Sequence, residues 1–213
     1  MTIFNHYSPL FYSGFGYTLL ASLIALVASL VLGTLFALLQ LSKKRFWSGL
    51  GNAYVQFFRN VPLLIITLFF YLAVAKVIKM TGFVAGTVAL SLYTSAFIAE
   101  SVRAGILSID KGQMEGALAN GLSYGQAMRV IVLPQAFKVA IPSLGNQFIN
   151  LVKNSSILAF VGGLDLMYQG NLVAASSFDT FTSYIIVGIF YLVLTLPLSY
   201  GMQYLEERLQ GNR

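Results

Sequence analysis

The sequence predicts an all-α integral membrane protein with about five transmembrane helices. Of its 213 residues, 57% are hydrophobic and only 9% charged, and the mean hydropathy is +0.77. A soluble domain of this size carries roughly a quarter charged residues. Apolar runs of span length also recur along the chain, separated by polar breaks. A helix needs about 20 apolar residues to cross a bilayer, so the length accommodates about five spans and short loops. The chain reads as a single domain over residues 1–213, with its membrane core at about 15–205.

The first span is expected from about Phe15 to Leu41, the second from about Tyr54 to Val77, and the third from about Phe83 to Leu107. A polar island follows, at about residues 108–138. The fourth span, more polar, covers about Val139 to Phe160. A loop from Gly162 to Thr180 leads to a last span from about Phe181 to Leu205. Residues 1–14 contain no Lys or Arg, and the first apolar run is longer than a signal-peptide core, so it is read as a retained span. Gly82 and Gly86 form a Gly-x-x-x-Gly pair suited to close helix contact. No internal repeat is evident.

Basic residues predict the orientation. With the N-terminus outside, Lys43, Lys44, Arg45, Lys111, Arg129, Lys138, Arg208 and Arg213 all fall on the cytoplasmic side, as does the C-terminus. Only Lys76 and Lys79 fall outside, and Lys153 lies within a span. The net charge of +6 and pI of about 9.6 come from span flanks rather than from a single patch, which argues against nucleic acid as a partner. With no cysteine and only His6, thiolate and histidine metal sites are not expected. No Gly-x-x-x-x-Gly-Lys-Ser/Thr loop is present to cradle a nucleotide phosphate, and no nucleophile–base–acid set is visible.

Ionisable groups inside spans are functional candidates because burying them is costly. Glu100 and Arg103 are three residues apart and share a helix face, and Arg59 lies at the same membrane level by topology. This set reads either as a structural ion pair or as a gate. Asn146, Asn150, Lys153 and Asn154 recur at i, i+4, i+7 and i+8, a polar stripe opposite Phe148, Leu151 and Val152. Such a stripe faces a water-filled cavity or a partner helix. Lys153 reads as a pathway residue, a structural pair, or a side chain snorkelling to the surface.

Within the polar island, residues 113–124 are compatible with a short helix despite Gly112, Gly116 and Gly121, glycines that permit close backbone approach. Leu133-Pro134 is expected to end one element and redirect the chain. The order Glu115-Gly116-Ala117, then Gly121, Ile131 and Leu133-Pro134 resembles the EAA loop of ABC importer permeases, with Gly116 where that family usually has Ala. Arg59-Asn60-Val61-Pro62-Leu63-Leu64, Ser95-Ala96-Phe97-Ile98-Ala99-Glu100, Arg103-Ala104-Gly105-Ile106, Pro134-Gln135-Ala136 and Lys153-Asn154-Ser155-Ser156 are similar to segments of the polar amino acid uptake permeases.

The resemblance covers nearly the whole chain and implies the type I ABC importer permease fold in a bacterial cytoplasmic membrane. It also implies an ATPase-coupling role for Glu115, Gly116, Ala117, Gly121, Leu133 and Pro134, and a substrate pathway past Asn146, Asn150, Lys153 and Asn154. The implied partners are a cytoplasmic ABC ATPase dimer, a second copy or a homologous permease, an extracytoplasmic amino acid-binding protein, and lipid. No cofactor is expected on this chain, with ATP and Mg held by the ATPase. Family members often carry Asp or Glu after the lysine. Asn154 here removes a negative charge, which favours glutamine, glutamate or aspartate over cationic amino acids. The competing reading is a stand-alone ion-coupled carrier or channel, for which Glu100, Arg103 and Lys153 would be ion or proton sites.

Overall fold

The computed structural model describes residues 2–210, which are almost entirely helical. The first helix, α1 (Thr2–Gln40), begins well before the expected Phe15. The reason is aromatic packing at that end. The Phe4 and Phe11 rings lie 6.3 and 6.1 Å from Phe190 near the other end of the chain, giving residues before Phe15 a surface on which to stay helical.

The expected second span is not one straight helix. It is a bent pair, α2 (Arg45–Asn60) and α3 (Leu63–Phe69), continued through a π-helical turn (Phe70–Val74) into α4 (Ala75–Ile78). The two arms meet at 104°. Pro62 has no N–H to continue the ladder and forces its predecessor out of the helical region, and Val61 is extended at φ −98°, ψ 129°.

The third span is α5 (Gly82–Leu107), started by Thr81, whose side chain accepts a hydrogen bond from the Val84 N–H. It is the centre of the bundle, packed against α1, α2 and the helix that follows the polar island. Small residues make this possible. A Cβ on Gly82 would lie 1.7 Å from the Val161 carbonyl oxygen, and one on Gly86 would lie 2.7 Å from the Leu158 side chain. The Gly-x-x-x-Gly pair therefore marks a real close contact. Ser101 and Ser143 join α5 to its neighbour by a 2.7 Å hydroxyl hydrogen bond.

The polar island contains α6 (Lys111–Ala119) and α7 (Tyr124–Ala127). From Tyr124 the chain is helical without a break to Val161, through a π-helical turn (Met128–Val132), α8 (Leu133–Asn154) and a 3₁₀ segment (Ser155–Val161). Leu133-Pro134 thus ends nothing, contrary to expectation. Pro134 sits in the first turn of α8, and the wider π turn before it relaxes the i−4 carbonyl position that a proline ring would strike.

The expected loop from Gly162 to Thr180 contains α9 (Leu166–Ser177), capped by Asp165. Last comes α10 (Thr180–Gln210). Four helical stretches are long and apolar enough to cross a membrane, and the bent pair makes a fifth.

Candidate functional site

The α6 corner is an exposed arm fixed to the spans at its root. Asp110 caps α6 by accepting the Gly112 N–H at 2.7 Å. At the other end the Asn120 side chain donates to the Gly116 carbonyl at 2.8 Å. Gly121 then turns the chain at φ +84°, a conformation that side-chain-bearing residues rarely adopt. Ser123 and Gln126 form a capping box that opens α7. Met114 and Ile109 anchor the arm on the core around Val132 and Ala136, and Gln135 donates to the Gln113 side-chain oxygen at 3.2 Å.

Of the six residues expected here, Glu115, Gly116, Gly121 and Pro134 are exposed, Leu133 is half-buried and Ala117 is buried. Beyond their chain neighbours and their own helix backbone, no atom of the described residues lies within 4 Å of where a Cβ on Gly116 or Gly121 would be. Both positions are therefore open on the surface of the arm. Gly121 is required by its turn, and Gly116 leaves an open face. α6 itself ends at Ala119, short of the expected Tyr124, because that turn interrupts it.

Arg59, Glu100 and Arg103 do come together. Arg103 forms a bidentate pair with the Glu100 carboxylate, and Arg59 Nη1 reaches Glu100 Oε2 at 3.6 Å from α2. The Arg59 guanidinium also lies 5.6 Å from the centre of the Phe97 ring. Two cations share one carboxylate, and each side chain is about a third exposed, so water screens the cluster. Arg59 is the penultimate residue of α2, just before the 104° bend.

The stripe on α8 lies as the spacing predicts. Asn146, Asn150 and Lys153 are exposed and Asn154 is half-buried, while Leu151 on the opposite side is buried. Two cavities open along the cleft between α8 and α10. One, of about 260 Å³, is lined by Asn146 together with Ser199 and Gln203. The other, of about 420 Å³, is lined by Lys153, Ser156 and Tyr191.

Beside the second cavity is a buried polar cluster centred on the expected Gly162–Thr180 loop. Asp165 is fully buried. Its Oδ2 accepts the Met167 N–H at 3.0 Å and its Oδ1 has no partner. Burial pushes its carboxyl up to about 7, against the pull of the α9 N–H groups. Thr18 from α1 accepts the Leu166 N–H at 3.0 Å, and the Gln169 side-chain Oε1 is buried and unpartnered. The available signal was an Asp one residue before an apolar helix, the position of an N-cap.

A bundle of about five spans around a small-residue central helix, with a polar helical arm before the penultimate span, defines a polytopic membrane transport component. The sequence profile of the binding-protein-dependent transport system inner membrane component family matches residues 29–211, and the chain belongs to that family. It is 56% identical to the probable glutamine ABC transporter permease protein GlnM of Bacillus subtilis (strain 168), over 98% of this chain and 96% of that one. It is 37% identical to the putative glutamine transport system permease protein GlnP of Rickettsia bellii (strain RML369-C), over 90% and 89% of the two chains. A crystal structure of an amino acid ABC transporter with histidines superposes with a TM-score of 0.85 at 35% identity, covering 95% of both chains. The fold is that of the type I ABC importer permeases, and the protein is a multi-pass component of the inner membrane. The stand-alone carrier reading falls with this membership.

Proposed function

We propose that this chain is the pathway-forming permease of an ABC importer for polar amino acids, with glutamine the first candidate and glutamate or aspartate next. The observation that carries the substrate is the end-to-end 56% match to a glutamine permease. Identity in the mid-thirties does not discriminate, since the structure at 35% holds histidines. The absence of an acidic residue at Asn154 agrees with a neutral or acidic side chain on the substrate.

In this reading the N-terminus is outside and the α6 arm, within residues 108–138, is cytoplasmic. An ABC ATPase dimer, which holds ATP and Mg, docks on Glu115, Gly116, Ala117 and Gly121. Leu133 and Pro134 begin the helix that receives the motion. Because α6 is tied to α8 through Met114 and Gln113–Gln135, displacing the arm moves the helix that carries Asn146, Asn150, Lys153 and Asn154. That stripe lines the pathway, where Lys153 meets the substrate carboxylate and the asparagines meet its amide and amino groups. A second copy or a homologous permease supplies the other wall, and an extracytoplasmic binding protein delivers the substrate. Arg59, Glu100 and Arg103 act as a gate whose α2 contact breaks while the α5 pair persists.

The test is ATPase activity in proteoliposomes holding the permease, its ATPase and a binding protein loaded with glutamine, glutamate, aspartate, arginine or histidine. Glutamine-loaded protein is expected to stimulate hydrolysis. Glu115→Lys is expected to reduce that stimulation at least about tenfold, as charge reversal at a docked contact does, with unchanged thermal stability because Glu115 is exposed. Stimulation by arginine alone would reassign the substrate, and full coupling in Glu115→Lys would remove α6 from the coupling path.

A further inference from the structure

We infer that the corner between α1 and α7 is a binding site for one anionic phospholipid, its headgroup held by Lys43, Lys44 and Arg129. A groove of about 810 Å³ opens there, and its walls are apolar side chains such as Leu38, Leu41, Leu118 and Met128. The polar side chains on its lining are Ser42, Tyr124 and these three cations, and no acidic side chain contributes. Lys43 Nζ lies 5.8 Å from the centre of the Tyr124 ring, which holds one ammonium at the rim. An apolar slot ending in several cations matches a molecule with an acyl chain at one end and a phosphate at the other.

The surface leading to the groove points to the same occupant. Val27, Val31, Leu35 and Leu38 follow one another at spacings of four, four and three, a single stripe down α1 that ends at Ser42. Val27, Val31 and Leu35 are 63%, 65% and 50% exposed. That stripe lies on a helix long and apolar enough to span a membrane, and in this proposal it is the face along which the acyl chain lies. An acyl chain lying along it puts its headgroup at the turn after α1, where the cations are. Basic residues at such a surface attract anionic headgroups and not zwitterionic ones. Next to the cluster, the first turn of α2 carries Phe46 and Trp47, 74% and 44% exposed and in edge-to-face contact at 5.3 Å, as interfacial anchors are.

The site has a consequence that rests on the proposed coupling role of α6. Leu118 of α6 and Tyr124 of α7 form part of the groove wall, so a bound lipid braces the Gly121 turn at the root of the arm.

The test is native mass spectrometry of the purified full-length permease titrated with phosphatidylglycerol or phosphatidylcholine of identical chains. Phosphatidylglycerol is expected to be retained about tenfold better. K43Q/K44Q/R129Q is expected to abolish that preference, while K76Q/K79Q, which removes exposed charge at the far end of α4, leaves it intact. Equal retention of both lipids, or equal loss in the two variants, overturns the site. So does a K43Q/K44Q/R129Q protein that keeps its phosphatidylglycerol preference but no longer co-purifies with the ATPase, since the cations then serve that protein. The α6 reading is tested separately by Glu115→Lys, which leaves lipid retention unchanged.

Discussion

α5 and α10 are both apolar helices long enough to span a membrane, yet they live in opposite surroundings. In its most apolar stretch α5 is 61% buried, and α10 only 11%. Their side chains explain the difference. The buried face of α5 is largely Ala, Gly, Ser and Thr, including Ala85, Ala89, Ser95, Ala96 and Ala99. Small residues let backbones approach closely where no hydrophobic effect drives helices together. α10 presents Ile185, Ile189, Leu192, Val193 and Leu196, each 46–58% exposed, to whatever lies outside the chain. Hydropathy therefore reports the solvent, and residue size reports how many helices crowd around a span.

The sharpest way to break that comparison is to add the same side chain to a glycine on each helix. A Cβ at Gly82 meets the Val161 backbone oxygen at 1.7 Å, whereas one at Gly188 of α10 meets nothing within 4 Å. Gly82→Ala is expected to destabilise by about 3 kcal/mol, at the top of the range for overpacking, and to reduce folded yield on size-exclusion chromatography. Gly188→Ala is expected to be neutral or to gain up to about 1 kcal/mol from helix propensity. Equal tolerance at both positions would mean that the 3₁₀ segment does not rest on α5 as described.

α5 and the start of α9 also differ in how they treat polar groups. On α5, Thr87, Ser91 and Ser101 each donate to the carbonyl four residues back. Around the start of α9, buried Asp165 and Gln169 keep unpartnered side-chain oxygens. The Asp165 carboxyl is raised from 3.8 to about 7 by burial. The folded protein thus holds a proton that the unfolded chain releases. Stability from this group is complete below pH 3.8, falls as pH rises through the interval, and is lost above about 7. At 1.36 kcal/mol per pH unit the upper limit is about 4 kcal/mol. Asp165→Asn keeps an N-capping side chain without the charge. It is expected to raise thermal stability at pH 8 and to flatten the decline between pH 5 and 8. An unchanged pH profile would show that water reaches the carboxylate.

The same contrast explains what the sequence revealed. Spans were legible because apolar runs need lipid, and the third span starts at Gly82, one residue before its expected start, where Thr81 caps it. The α8 stripe was legible because a 3.6-residue period projects directly onto a face. The 104° bend was missed although Pro62 signals it, because apolar residues continue on both sides and hydropathy is blind to direction. Leu133-Pro134 misled for the opposite reason. A proline usually stops a helix, and the preceding π turn that accommodates this one depends on packing around Val132 rather than on local sequence. α9 was hidden in a segment with too few apolar residues to read as a span, and the Asp165 cluster joins residues nearly 150 positions apart, Thr18 and Leu166.

The smallest expected effect asks what covers α10. Ile98 of α5 is fully buried and Ile189 of α10 is 53% exposed. Ile98→Ala is expected to cost about 2–5 kcal/mol through transfer and cavity terms. Ile189→Ala in the isolated chain is expected to stay within about 0.5 kcal/mol, as surface changes do. Thermal melts should be run on the isolated permease and again on the assembled complex. If Ile189→Ala remains silent in both, the outer face of α10 meets lipid, whose tails accept Ala or Ile alike. If it becomes costly only in the complex, that face is covered by a neighbouring subunit. The low burial of α10 then belongs to the single chain rather than to the working assembly, and its large side chains are there to fill an interface, as the small ones of α5 are there to close one.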